Sequence, residues 1–206
     1  MRRILTICGL TAALTAPGYA VAGEENDPFA NVAATLAEAG CIEVDFLSII
    51  ESDIFNTIDS THGRAILEAD GRYNIALGDD RYLFTGAELY SYSAPNNQVV
   101  IEQVPPQMIV SDQFSFLTRL DSWYDYSPLD TAGTYRLILK EEIEGDMPDT
   151  MTARIDQSTV TLQSLSYQDI NDELNRIIIL HQSFSDSCAQ DLFSPDFPDS
   201  ADVLRL

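Results

Sequence analysis

"GRAILEADGRYNIALGDDRYLFTGAELYSYSAPNNQVVIE", residues 63–102, decides the fold. Apolar and polar residues alternate here in short runs ("GRAILEA", "YNIAL", "RYLFT", "ELYSYS", "QVVIE"), and "ADG", "GDD", "TGA" and "APNN" interrupt them. Period-two alternation between clusters of Gly, Asp, Asn and Pro is what strands joined by tight turns look like. Connections this short join antiparallel neighbours, so the stretch reads as a meander. Tyr82, Phe84, Tyr90 and Tyr92, spaced by twos, put a large aromatic surface on these strands. Such a surface either fills an ordinary core or lines a cavity for an apolar ligand.

The pattern extends in both directions. Upstream, "CIEVDF" alternates and puts Ile42, Val44 and Phe46 on one face. Before it a helix is written: Asp27 can cap, Pro28 suits the first turn, Gly40 suits the end, and Phe29, Val32, Ala33 and Leu36 form one apolar stripe. Downstream, "SDQFSFLTRLDSWYDYSP" (residues 111–128) reads as a second helix. Ser111 or Asp112 would cap it, Phe116 or Leu117, Leu120, Trp123 and Tyr124 would form its apolar face, and Pro128 would lie just beyond its end. Strands resume at "TYRLILKEE", "MTARID", "TVTLQSLSY" and "NRIIILHQSF", and a segment with Pro195 and Pro198 on either side of Phe197 closes the chain. The expected architecture is mainly β, one antiparallel sheet with helical insertions.

Length and charge bound the function. A chain of 206 residues suits one domain with a substantial core. Its 11 Lys and Arg face 33 Asp and Glu, a formal net charge of -22. A field of that sign repels nucleic acid and anionic membrane surface alike. The acids are scattered, as on a solvated surface, rather than gathered in a tail.

The amino terminus reads as an export signal. "MRR" supplies positive charge, "ILTICGLTAAL" the apolar stretch, and "APGYAVAG" a small-residue cleavage context in which Ala20 and Ala22 make an A-x-A pattern. Cleavage is expected after Ala22, leaving residues 23–206 as a single exported domain. Cys8 is no lipidation site by its context, because Ile7 stands where a small residue is needed. No later apolar stretch approaches the ~20 residues that cross a bilayer, so the mature protein is expected to be soluble. Removing the signal leaves Cys41 and Cys188 in an oxidising compartment, where two thiols pair. Closing so long a loop stabilises by up to roughly 5 kcal/mol in the chain-entropy model.

Catalytic chemistry finds little footing. His62 and His181 are far apart and lack metal-ligand spacing, and no nucleophile elbow, phosphate loop or dinucleotide fingerprint is present. "DINDE" (residues 169–173) lacks the sixth-position glycine of a calcium loop and reads as a hairpin turn. "EEIEG" gathers carboxylates, as a strand end entering solvent also would. No catalytic residue, metal ligand or cofactor is therefore assigned.

The ordered set of motifs resembles the LolA-type periplasmic carriers of outer-membrane lipoproteins. The export signal and amino-terminal helix precede a strand starting with glycine, and then the aromatic "FTGAELYSYSAPNNQV". "YQDINDELNRIIIL" is similar to the family's acidic hairpin, and "DLFSPDFPDSADV" to its closing F-F-P segment. That resemblance implies an incomplete antiparallel β-barrel of the LolA/LolB kind, covered by a helical lid. It implies no enzyme activity. The hollow would take lipoprotein acyl chains from an inner-membrane lipoprotein-releasing transporter and pass them to an outer-membrane receptor, the carrier acting as a monomer. Lipid-binding residues would be Tyr73, Ile75, Leu77, Phe84, Tyr90 and Tyr92 on the strands, with Phe116, Leu117, Leu120 and Trp123 in the lid. The family's lid latch, an arginine beside a proline, would fall to Arg72, where "LEADGRYNI" has no proline. Two other readings stand beside this one: a periplasmic enzyme working through paired carboxylates, and a LolA-like envelope module for another lipid or protein.

The exported protein should begin at Gly23. Intact-mass measurement of periplasmic material checks this, and a diacylglyceryl group on Cys8 would overturn it.

Overall fold

The computed structural model of the 206-residue chain describes residues 27–104, 119–143 and 147–206. Helix α1 (Pro28–Glu38) starts as its sequence dictates: the Asp27 carboxylate accepts a hydrogen bond from the Phe29 amide at 2.9 Å, and proline occupies the first turn. Its buried side chains are the expected stripe of Phe29, Val32, Ala33 and Leu36. The end differs from expectation. Ala39, in extended conformation, terminates the helix, and Gly40 has another task. A Cβ on Gly40 would lie 1.9 Å from the Asp186 carbonyl oxygen, so glycine lets two backbones touch where the sheet begins.

From Gly40 the chain enters β1 (Cys41–Ser52), turns into β2 (Thr57–Glu68), and meanders through β3 (Tyr73–Leu77), β4 (Asp80–Phe84), β5 (Glu88–Ser93) and β6 (Gln98–Gln103). A short helix α2 (Leu120–Trp123) leads into β7 (Tyr124–Pro128), β8 (Thr134–Leu139), β9 (Thr150–Asp156), β10 (Thr161–Gln168) and β11 (Leu174–Ser185). A 3-10 turn (Gln190–Phe193) and β12 (Asp202–Arg205) finish the chain. All the strands belong to one open sheet in the order β12-β6-β5-β4-β3-β2-β1-β11-β10-β9-β8-β7. The expected incomplete barrel with helices on one side is the architecture observed.

Two expectations need correction. Helix was read over residues 111–127; part of that span lies outside the described residues, and beyond it the helix is only Leu120–Trp123. Tyr124 opens a strand, and Pro128 is that strand's last residue rather than a stop beyond a helix. β7 is an edge, where proline deprives no neighbour of a donor, and "YDYSP" favours strand through its tyrosines. The second correction is that the sheet is not wholly antiparallel, since β12 lies parallel on β6, Val203 opposite Val99. A parallel neighbour needs a long crossover, which the carboxy-terminal segment supplies by running over the sheet's outer face.

The core divides by face. On the helix face, α1 and α2 pack with Ile42, Val44 and Phe46 of β1, Ala65 and Leu67 of β2, and Leu137, Met151, Ile155, Leu165 and Ile177 from the far strands. On the opposite face, Ile66, Leu83, Tyr90, Val99 and Ile101 are covered by the carboxy-terminal segment through Leu192, Phe193 and Phe197. The predicted Cys41–Cys188 disulfide is present and pins that segment to the head of β1, with the two Cα atoms 5.0 Å apart. The acidic stretch "DINDE" is the β10–β11 turn: the Asp169 carboxylate accepts from the amides of Asn171 at 2.8 Å and Glu173 at 3.0 Å.

Gly63 sits opposite Phe46 in the β1–β2 register, and a Cβ there would be 2.1 Å from the Phe46 ring. The ring is wholly buried and has no room to give. Gly63→Ala should therefore cost about 1–3 kcal/mol of stability by overpacking, read as a lowered urea midpoint, and adding Phe46→Leu should recover part of the loss. An unchanged midpoint in Gly63→Ala would contradict this packing.

Candidate functional site

The helix face offers the apolar surface that the sequence points to, though not from all the expected residues. Tyr73 and Ile75 are buried there, and Leu77 and Phe84 pack at the margin of the same cluster with Leu120 and Trp123 above. The Tyr73 and Phe84 rings lie 5.6 Å apart, a packed aromatic pair. Tyr82 and Leu89 share this margin, and Leu139 of β8, Ile143 in the turn after it and Tyr167 of β10 pack against the same cluster. Phe116 and Leu117 lie outside the described residues.

Tyr90 and Tyr92 face the other way. Spacing by twos suggests one face for Tyr82, Phe84, Tyr90 and Tyr92, but the β4–β5 register pairs Phe84 with Leu89 and Leu83 with Tyr90. Cross-strand partners share a face, so the turn at Gly86 shifts the parity and sends Tyr90 and Tyr92 outward. There Phe197 stacks on Tyr90 at 5.9 Å and tilts against Tyr92 at the same distance. Both tyrosines anchor the carboxy-terminal segment and do not join the wall formed by Tyr73, Ile75, Leu77 and Phe84.

Arg72 also belongs to that outer side. Its guanidinium pairs with Glu68 and with Asp70 at 2.9 Å, and lies 4.7 Å from the centre of the Phe193 ring. The arginine thus clasps the β2–β3 turn to the carboxy-terminal segment, not to the helical cover. Further ties hold this segment down: Asn74 Nδ2 donates to the Leu192 carbonyl at 2.6 Å, Asn97 Nδ2 to the Ser200 carbonyl at 2.8 Å, and Arg205 pairs with Glu88 at 3.2 Å. Glu88 accepts hydrogen bonds from Tyr90 and Gln103 as well; with Arg205 these hold its carboxyl below the usual range, the Tyr90 hydroxyl contributing most. A cleft of about 490 Å³ opens beside Asp79, Arg81, Tyr92 and Phe197, with a charged rim unsuited to an acyl chain.

Sequence reasoning read Phe29 and Tyr124 as apolar-face residues but missed the share of the helix-face surface that the far strands supply. Phe29 of α1 packs on Tyr126 at 4.4 Å and on Tyr135 at 5.2 Å, and Tyr124, Leu137, Met147 and Met151 extend the cluster. The signal was available in the alternation of "TYRLIL" and "MTARID", which marks an apolar face as clearly as the aromatic strands do. Burial raises the pKa values of Tyr82, Tyr124, Tyr135 and Tyr167, with nearby carboxylates adding to it. The Tyr124 hydroxyl donates to the Pro148 carbonyl at 3.2 Å. Among the described residues no three His, Cys, Asp or Glu side chains gather to hold a metal ion. Among its described residues the face presents apolar area that excludes water.

No protein-family model matches the chain, and no curated protein does. Solved structures do. An uncharacterized conserved protein from Thermus thermophilus is 12% identical over 87% of this chain and 97% of its own, with a TM-score of 0.51. A LolA superfamily protein from Nitrosomonas europaea is 6% identical over 82% and 96%, with a TM-score of 0.45. A DUF1329 family protein from Desulfovibrio piger is 10% identical over 81% and 95%, with a TM-score of 0.44. At such identities the likeness is one of fold.

The tyrosines generate a pH test. Burial favours the neutral phenol, so their folded pKa values lie above the unfolded value of ~10. Their contribution to stability is complete below that value and is lost as pH rises through the folded ones. Tyr82, Tyr124, Tyr135 and Tyr167 should therefore resist ionisation until the sheet unfolds. Tyrosinate absorbance and far-ultraviolet circular dichroism, followed together, check this. Full tyrosinate absorbance at ordinary pKa with intact dichroism would contradict it.

Proposed function

We propose that this chain is an exported, LolA-like envelope module that binds lipoprotein acyl chains between its sheet and its helices, and carries them from the inner to the outer membrane. The observation behind the proposal is an asymmetry between the two faces. The outer face is closed by a disulfide, a parallel strand and several hydrogen bonds. The helix face is covered by α1 and α2 mainly through apolar side-chain packing, with hydrogen bonds from Lys140 to the Ser122 and Trp123 carbonyls at the end of α2. Burial of Phe29, Val32 and Leu36 is worth roughly 1.5–3 kcal/mol each, a cover that an acyl chain of comparable apolar area can replace. The partly buried margin of Leu77, Tyr82, Phe84 and Leu89 is where incoming methylenes would find contact. The sequence resemblance to LolA-type carriers supports the same role. Cargo would pass from a releasing transporter to a receptor with no bond made or broken.

A carboxylate placed on that margin would have to be desolvated beside the acyl chain, at a cost of several kcal/mol. Phe84→Asp should therefore abolish binding of a fluorescent fatty-acyl probe, and Asp199→Ala, at an exposed position of the carboxy-terminal segment that covers the other face, should leave it unchanged. Absence of probe binding by the wild-type protein, together with no lipid released on denaturation, would refute the carrier role.

A further inference from the structure

Two hairpin tips stand side by side at one end of the sheet. Ser52 pairs with Thr57 across the β1–β2 tip, and the preceding residue, Glu51, pairs on its other side with Leu174, which directly follows the β10–β11 turn. Residues 53–56 and 169–173 therefore project together. The side chains they carry are unusual for turns. Ile54 and Phe55 are 74% and 73% exposed and Ile170 is 100% exposed, and Ile58, just inside β2 beside them, is 72% exposed. Single exposed apolar residues are ordinary, but four on adjacent tips make a patch that water disfavours.

Negative charge surrounds the patch. Asp53, Asp59 and Asp172 are exposed there, with Asp169 and Glu173 half-buried in the turn. Arg176, the nearby cation, is engaged by Glu51 at 3.1 Å. Nothing in the β1–β2 pairing requires Ile54 and Phe55, since they lie outside the ladder and Asn56, at φ 51, completes the turn whatever stands at positions 54 and 55.

We infer that this twin-hairpin end is a docking surface for a protein partner that presents an apolar pocket bordered by lysine or arginine. Charge selects the class of partner. A ring of carboxylates is repelled by anionic bilayers and nucleic acid, and it steers a basic surface into place. The isoleucines and Phe55 then supply the desolvated contact at the centre, with the charges as its rim. Docking here needs no acyl chain on the helix face, so it stands or falls apart from the carrier role.

The test uses the full mature chain and an amphipathic helical peptide built of leucine and lysine, titrated by calorimetry. Saturable binding that weakens with salt is expected. The triple variant Ile54→Ser, Phe55→Ser, Ile170→Ser keeps every charge and removes only exposed turn side chains, so its melting curve should match the wild type. It should bind the peptide at least ~10-fold more weakly. A leucine–glutamate peptide should not bind. Equal affinity of wild type and triple variant would show diffuse charge attraction and overturn the proposal, as would binding of the acidic peptide. Flotation of the wild type, but not the variant, with phosphatidylcholine vesicles would also overturn it by making the tip a membrane contact.

Discussion

Twelve residues of β1 pair with β2 along their whole length and with β11 along nearly all of it, and every other assignment in the molecule follows from that double register. Once Val44 and Phe46 point to the helix side, Ala65 and Leu67 must join them, and Glu43 and Asp45 must face out, where Arg64 meets both. A slip by one residue would exchange these sets completely. Phe46 opposite Gly63 secures the register, because only glycine leaves space for the ring. The core and the acidic surface are thus two readings of one alternation.

The two faces are held by different physics. On the outer side a disulfide spans 147 residues, and backbone hydrogen bonds continue from Asp202 to Leu206 along β6. On the helix side, cohesion comes mainly from apolar area, which is non-directional and can be exchanged for other apolar area, beside the hydrogen bonds of Lys140 to the end of α2. A sheet closed firmly on one face and softly on the other has a direction in which it can open. Fold alone would not establish a function. The proposed apolar binding follows from this asymmetry and from the aromatic margin.

Charge is managed locally. With 11 cations for 33 acids, most carboxylates remain solvated, and the arginines serve joints of the sheet. Arg64 bridges β2 to β1, Arg176 bridges β11 to β1, and Arg205 holds β12 beside Glu88. Exposed pairs of this kind contribute ~0–1 kcal/mol each. Their value lies in placing a cation where two acidic strands meet. The same excess of acid around the Ile54–Phe55 tip limits which surfaces can approach it.

Local chemistry made much of this protein legible. Asp27, Pro28 and the stripe from Phe29 to Leu36 determine α1, and "ADG", "GDD" and "APNN" determine the meander, because caps and turns act within a few residues. Cys41 and Cys188, the two cysteines outside the expected export signal, predicted their own bridge. What sequence could not decide was parity across a turn. Tyr90 and Tyr92 keep the spacing of Tyr82 and Phe84 yet face the opposite side, since the β4–β5 register is a property of two strands together. The parallel docking of β12 and the contact of Arg72 with Phe193 likewise join residues more than a hundred positions apart. Local propensity carries no information about such contacts; only the closed register of the whole sheet does.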